Sequence, residues 1–158
     1  MPDSAKVQAL LFDVYGTLFD VHSVVQQCEQ QFPGKGVALS QLWRTKQLEY
    51  TWQRSLMQRY EPFHVVTRAA LRVACRALAL EASAAVLDQL IGAYLHLKPY
   101  PDTVPALQQL KKMPLAVFSN GSLQMLGPLL ASADIEKYMG HVISVDEIHV
   151  FKPDPRVY

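Results

Sequence analysis

With 158 residues, half of them hydrophobic and 18% charged, the chain can bury one packed core and is too apolar for a disordered or fibrous protein. Its net charge of +1 argues against nucleic acid and anionic membrane surfaces as main partners. No apolar run approaches the roughly 18 residues of a membrane span. Cys28 and Cys75 form no CxxC pair, and His22, His64, His96, His141 and His149 follow no metal-ligand spacing, so neither a disulfide framework nor a zinc site is expected. The opening MPDSAK shows no signal-peptide pattern, and the expectation is a cytoplasmic globular protein.

In chain order, Val7 to Phe12 is a short apolar run ended by Asp13 and Gly16, with the length and flanks of a buried strand. From His22 to about Leu97 the periodicity is helical. A first helix, HSVVQQCEQQF, stops at Pro33-Gly34-Lys35-Gly36. A long one runs from about Leu39 to Tyr60 and is closed by Pro62. Two more read HVVTRAALRVACRALAL and SAAVLDQLIGAYLHL, the latter capped by Ser83. After the linker Lys98-Pro99-Tyr100-Pro101-Asp102, Asp102 caps TVPALQQLKK, where Pro105 falls in the tolerated first turn. Leu115 to Phe118 is a second buried strand, followed by Ser119-Asn120-Gly121-Ser122 and a helix through Ser132. Val142 to Val145 is a third strand, and Phe151 to Pro155 a turn.

This order predicts an α/β fold: a Rossmann-like parallel sheet core from residues 1–20 and 98–158, with residues 21–97 inserted as a helical cap subdomain. Three strands make a thin sheet with an unpaired edge. The sequence stops at Arg156-Val157-Tyr158 in what reads as a helix start, so the expectation is the N-terminal portion of a longer protein.

Ligands of open α/β sheets bind beyond the carboxyl ends of the strands. Three polar clusters fall there: Asp13 with Thr17, Ser119 with Asn120, and Lys152. Each alone has a plainer reading, as a loop cap, a turn or a solvated lysine. Together they bring carboxylate, hydroxyl, amide and ammonium towards one point, where a carboxylate beside an ammonium stays an anion and can act as a nucleophile. Receiver domains use a similar set, but their Asp follows a later strand and they have no helical insert.

Phe12-Asp13-Val14-Tyr15-Gly16-Thr17-Leu18 resembles the first motif of the haloacid dehalogenase (HAD) superfamily. Phosphatases of that superfamily carry a second Asp two residues after the nucleophile, as general acid and near magnesium. Here that position is Tyr15, a poor ligand for a hard cation and a weak acid. The segments from Leu18 to Val25, from Leu42 to Trp52 and Ser55-Leu56-Met57 resemble the L-2-haloacid dehalogenases, the (S)-2-haloacid enzymes of type II. So do Phe118-Ser119-Asn120-Gly121-Ser122 and Lys152-Pro153-Asp154, and the match runs from about Gln8 to the last residue.

The resemblance implies hydrolysis of the carbon–halogen bond of a short (S)-2-haloalkanoic acid with inversion at C2, through an aspartyl ester. It implies no metal and no organic cofactor, a small halogenated carboxylic acid as partner, and a homodimer at full length. It further implies a segment beyond Tyr158 supplying another strand and a loop with Ser, Asn and Asp near the site.

Carried residue by residue, Asp13 is the nucleophile, Thr17 orients it, and Lys152 pairs with it. Ser119 and the backbone N–H groups of Val14 and Tyr15 hold the substrate carboxylate. Arg44 with Asn120 resembles the halide cradle, although surface snorkelling is the ordinary reading of a helical Arg. On a helix Arg44 shares a face with Leu48, Thr51 and Ser55. Tyr15, Leu48 and Phe63 wall the pocket, and Tyr158 resembles an active-site tyrosine near the nucleophile. Two competing readings are a magnesium-dependent superfamily phosphatase, against which Tyr15 counts, and a non-catalytic piece that binds small carboxylates.

Overall fold

The computed structural model describes residues 7–158, and the opening segment read for a signal pattern lies outside them. Strands β1 (Leu10–Phe12), β2 (Leu115–Ser119) and β3 (His141–Ser144) form a parallel sheet in the order β1-β2-β3. The central strand is buried except for the half-buried Phe118, whereas the edge strands show Leu11 and Ile143 to solvent. β1 is shorter than its apolar run. The Leu10 N–H donates to the Pro114 carbonyl at 3.0 Å, and proline has no N–H with which to extend the ladder further back. β3 ends one residue early because the Ser144 hydroxyl accepts the Asp146 N–H at 3.1 Å and starts a 3-10 turn.

Between β1 and β2 lie a 3-10 turn (Val21–Val24) and helices α1 (Val25–Gln31), α2 (Gly36–Leu56), α3 (Phe63–Ala77) and α4 (Ala84–Ala93). α5 (Thr103–Leu110) leads into β2, and α6 (Leu123–Ser132) connects β2 to β3. Ser83 caps α4 as expected, its hydroxyl accepting the Val86 N–H at 3.3 Å. Asp102 stands at the N-cap of α5, but its side chain makes no capping bond.

α2 is displaced towards the N-terminus relative to its sequence pattern, for two local reasons. The Glu29 carboxylate accepts the N–H groups of Gly34 at 2.5 Å and Gly36 at 2.8 Å, so the helix starts three residues sooner than its apolar pattern. At the other end Gln58 is left-handed (φ 55°), and the Gln58 and Arg59 N–H groups fold back onto Ser55 and Arg54. The helix therefore closes at Leu56, well before Pro62 would force it.

Two chain crossings join the helical insert to the sheet. The Asp20 N–H donates to the Lys98 carbonyl at 2.9 Å, and the Tyr100 N–H to the Leu18 carbonyl at 3.0 Å. The Thr103 hydroxyl donates to the same Leu18 oxygen at 2.9 Å. Above this stem a file of aromatic rings runs through the core: Trp43 on Tyr94 (4.6 Å between centroids), Tyr94 on Tyr15 (6.3 Å), Tyr15 on Phe63 (5.3 Å) and Phe63 on Phe151 (6.2 Å). All five rings are buried, and they belong to one apolar cluster that also holds Leu115 and Val117 of the sheet. Insert and sheet thus share a core. Among the described residues no helix is long and apolar enough to cross a membrane.

The bonds to Gly34 and Gly36 hold the Glu29 carboxyl below its usual range. Their contribution is present above the unfolded carboxylate pKa and is lost as pH falls through the depressed folded value. Glu29→Gln is expected to lower the melting temperature near neutrality, and the gap from wild type to close on acidification. Thermal unfolding followed by circular dichroism across that range checks this.

Candidate active site

Parallel pairing fixes where the polar clusters emerge. Phe12 lies opposite Val117 and Ser119 opposite Ser144, so Asp13 follows β1 at the level of Phe118 and Asn120 leaves β2 two residues further on, both at the carboxyl end of the sheet. The turn after Asp13 is tight. The Val14 carbonyl accepts N–H groups from Thr17, Leu18 and Phe19, and Gly16 takes φ +97°, a conformation that favours glycine. Among the described residues the N–H groups of Val14 and Tyr15 donate to no backbone acceptor. The Val14 side chain itself is wholly buried in the core.

Lys152 reaches this corner from the far end of the chain. Its ammonium lies 3.2 Å from Asp13 Oδ1, donates to the Phe118 carbonyl and sits 4.1 Å from the Phe118 ring centroid. Two hydrogen bonds hold the backbone that carries it: the Phe151 N–H donates to the Ser55 hydroxyl at 3.0 Å, and the Lys152 N–H to Asn120 Oδ1 at 2.9 Å. The latter fixes the Asn120 amide so that its NH2 end is left for another acceptor. Thr17 is exposed, and its hydroxyl is 3.5 Å from Asp13 Oδ2, the outer limit of a hydrogen bond.

These groups open onto a cavity of about 300 Å³. Asp13, Ser119, Asn120 and Lys152 line it from the sheet, and Tyr15, Arg44, Leu48 and Phe63 from the turn and the helices. Ser119 is buried, and its hydroxyl accepts the Gly121 N–H at 3.1 Å, leaving its own proton free to donate. Arg44 is half-buried, and its Nη2 donates to the Tyr15 carbonyl at 3.0 Å. Two cations face one carboxylate among the lining residues, an excess of positive charge that suits a small carboxylic acid.

Tyr158 stands outside this cavity. It is exposed, packs edge-on against Phe118 (5.6 Å), and lines a separate opening on the other side of Asp13 and Lys152. The helical face is also differently divided than spacing alone gave. Thr51 is buried, its hydroxyl turned onto the Leu48 carbonyl at 2.7 Å, and Ser55 serves the Lys152 turn. The cavity is lined instead by Arg44, Leu48 and Trp52. Trp52 is the next fourth-residue step of that face, but helical spacing admits Thr51 and Ser55 equally well. Pro153, the other unforeseen wall, carried no signal beyond its neighbour Lys152.

Tyr15 offers nothing to a hard cation. Its ring lies between Phe63 and Tyr94, and burial pushes the phenol far above its ordinary pKa, so it stays a neutral hydroxyl. That hydroxyl finds no hydrogen-bond partner in the chain. Among the described residues no cluster of His, Cys, Asp and Glu could hold a metal ion.

Residues 7–158 match the family model described as haloacid dehalogenase-like hydrolase. The chain is 51% identical over 154 residues to (S)-2-haloacid dehalogenase H-109 of Pseudomonas putida, covering 96% of this chain and 69% of that enzyme. It is 44% identical over 155 residues to haloacetate dehalogenase H-2 of Moraxella sp. (strain B), covering 97% and 69%. The L-2-haloacid dehalogenase structure from Xanthobacter autotrophicus superposes with a TM-score of 0.93 at 45% identity, over 97% of this chain and 62% of that one. A second structure of that enzyme, with chloropropionic acid covalently bound, also gives 0.93, at 44% identity. The chain belongs to the haloacid dehalogenase-like hydrolases and, within them, to the (S)-2-haloacid dehalogenases. It spans about two-thirds of the length of these relatives.

Gly121 controls the fit of the floor. A Cβ there would lie 2.8 Å from Tyr15 Cε2 and 2.9 Å from Leu126 Cδ2, both in the packed core. Gly121→Ala is expected to cost about 1–3 kcal/mol through overpacking and to displace the Tyr15 ring. Denaturant unfolding measures the first effect and near-ultraviolet circular dichroism the second.

Proposed function

We propose that the site carries out nucleophilic displacement of halide from C2 of a short (S)-2-haloalkanoic acid, with Asp13 as the nucleophile. The observation that carries the reading is the placement of Asp13: one oxygen is paired with Lys152, the other is beside Thr17, and the residue lines a cavity that also holds Arg44. An Asp13 oxygen forms a bond to C2 from the face opposite the halogen. The carbon–halogen bond breaks, and its electron pair leaves with the halide. An aspartyl ester of inverted configuration remains.

Lys152 and Thr17 keep the carboxylate aimed. Ser119 and the N–H groups of Val14 and Tyr15 take the substrate carboxylate. The free NH2 of Asn120 and the Arg44 guanidinium meet the departing halide, where donors aimed at developing charge act most strongly. Tyr15, Leu48 and Phe63 enclose the alkyl group and the halogen. Hydrolysis of that ester at its carbonyl, which would restore Asp13 and release the (R)-2-hydroxy acid, needs a base for the attacking water.

Asp13 is the sole carboxylate among the described residues lining the cavity, so no second carboxylate stands ready there as the base that takes the proton of that water. Mixing the 158-residue chain with (S)-2-chloropropionate is therefore expected to release chloride stoichiometrically and to leave the ester on Asp13, visible by mass spectrometry, with negligible further turnover. EDTA should change neither result, and Asp13→Asn should remove both. Absence of adduct together with magnesium-dependent cleavage of phosphate esters would replace this reading with the phosphatase one.

Arg44→Lys keeps a charge but loses the planar fork of donors. The chloride burst is expected to slow by about a hundredfold while remaining measurable by stopped-flow halide detection. A burst as fast as that of wild type would return Arg44 to an ordinary helical cation.

A further inference from the structure

Arg44 is a half-buried cation with no carboxylate within ion-pair distance among the described residues. Two neutral oxygens hold it: the Tyr15 carbonyl, 3.0 Å from Nη2, and Gln47 Oε1, 2.8 Å from Nη1. Gln47 is completely buried and lies one helical step further along α2. Its Nε2 donates to the Thr67 hydroxyl at 2.7 Å, and that hydroxyl donates to the Phe63 carbonyl at 2.7 Å. The Trp43 indole N–H, donating to the Thr67 carbonyl at 2.9 Å, ties the same turn of α3 to α2.

The direction of this chain is dictated by its chemistry. With its proton committed to Phe63, the Thr67 hydroxyl presents only lone pairs to Gln47, so the NH2 end of the amide must face it. The carbonyl end must then face Arg44, and the reverse orientation would set donor against donor. Three residues beyond an Arg on a helix, a glutamate would be the ordinary stabilising partner. A carboxylate there would grip the same fork but cancel its charge.

We propose that Gln47 and Thr67 are positioning residues for an anion site on Arg44, a neutral brace that aims the guanidinium and leaves its charge for the halide. The inference rests on the reading of Arg44 as the halide-facing group and adds what makes that group effective. Burial disfavours the charged form of Arg44, yet a guanidinium keeps its proton, so the site retains an uncompensated cation in a partly desolvated wall. Such a cation attracts an anion far more strongly than one already paired.

Trp52 reports on the site because it lines the same cavity, whereas Trp43 is buried and out of reach of a soluble quencher. Iodide is titrated into the chain at constant ionic strength while tryptophan emission is followed. Wild type is expected to show saturable quenching, distinct from the linear response of simple collisions. Gln47→Glu should raise the apparent Kd about tenfold or more, and acidification through the carboxylate range should restore binding as the new acid is neutralised. Thr67→Val, which leaves the Gln47 amide without its acceptor, should weaken binding, and Thr67→Ser should recover it. The pH recovery and the serine rescue are signatures that a purely structural role would not produce. They also keep the test decisive if one variant fails to fold. Linear quenching in wild type would overturn Arg44 as an anion site, and this inference with it. Saturable quenching that is equally strong in Gln47→Glu and Thr67→Val would overturn the brace alone.

Discussion

The pairing of Asp13 with Lys152 spans almost the whole chain, from the turn after the first strand to the turn after the third, and the other parts of the site are arranged around it. Its worth is geometric more than energetic. With the Asp13 side chain 41% exposed, the ion pair belongs with those that contribute about 1 kcal/mol or less. What it achieves is to hold a carboxylate at the sheet's open end, with one oxygen engaged by Lys152, in the lining of the cavity. That arrangement requires the Lys152 backbone to be fixed first. Ser55 of α2 and Asn120 after β2 do so through single hydrogen bonds, which makes the partner of Asp13 dependent on both the helical insert and the sheet.

The same dependence appears in the core. Tyr15 lies two residues from Asp13, yet its ring is packed between Tyr94 and Phe63 of the insert, and its carbonyl accepts a hydrogen bond from Arg44. The residue at which superfamily phosphatases carry an acid has here become part of the hydrophobic floor. A buried neutral phenol gives the cavity an apolar wall beside the Arg44 guanidinium.

The division of charge around Arg44 extends the argument. Burying a cation beside neutral acceptors costs stability that a carboxylate partner would recover, and positions that forgo local stability in this way are commonly functional. Gln47 and Thr67 share no motif and lie on different helices, so their connection with Arg44 appears only when α2 and α3 are packed.

Sequence patterning determined the order of strands and helices, because short apolar runs bounded by Asp, Gly and Pro, and helical periodicity between them, are local properties of the chain. It also determined most of the cavity: Asp13, Tyr15, Arg44, Leu48, Phe63, Ser119, Asn120 and Lys152 were legible from strand-end position and family resemblance, and all line one space. Helix ends were less legible. The start of α2 depends on Glu29 reaching seven residues ahead, and its end on a left-handed Gln58, neither of which leaves a periodic trace. Only the tertiary structure decided that Trp52 rather than Thr51 or Ser55 faces the cavity, that Tyr158 lies outside it, and that Thr67 orients the partner of Arg44. The physical reason is common to all three. A local pattern fixes which face of an element is apolar, but the direction of a polar side chain is set by the hydrogen-bond partner that a distant segment brings to it.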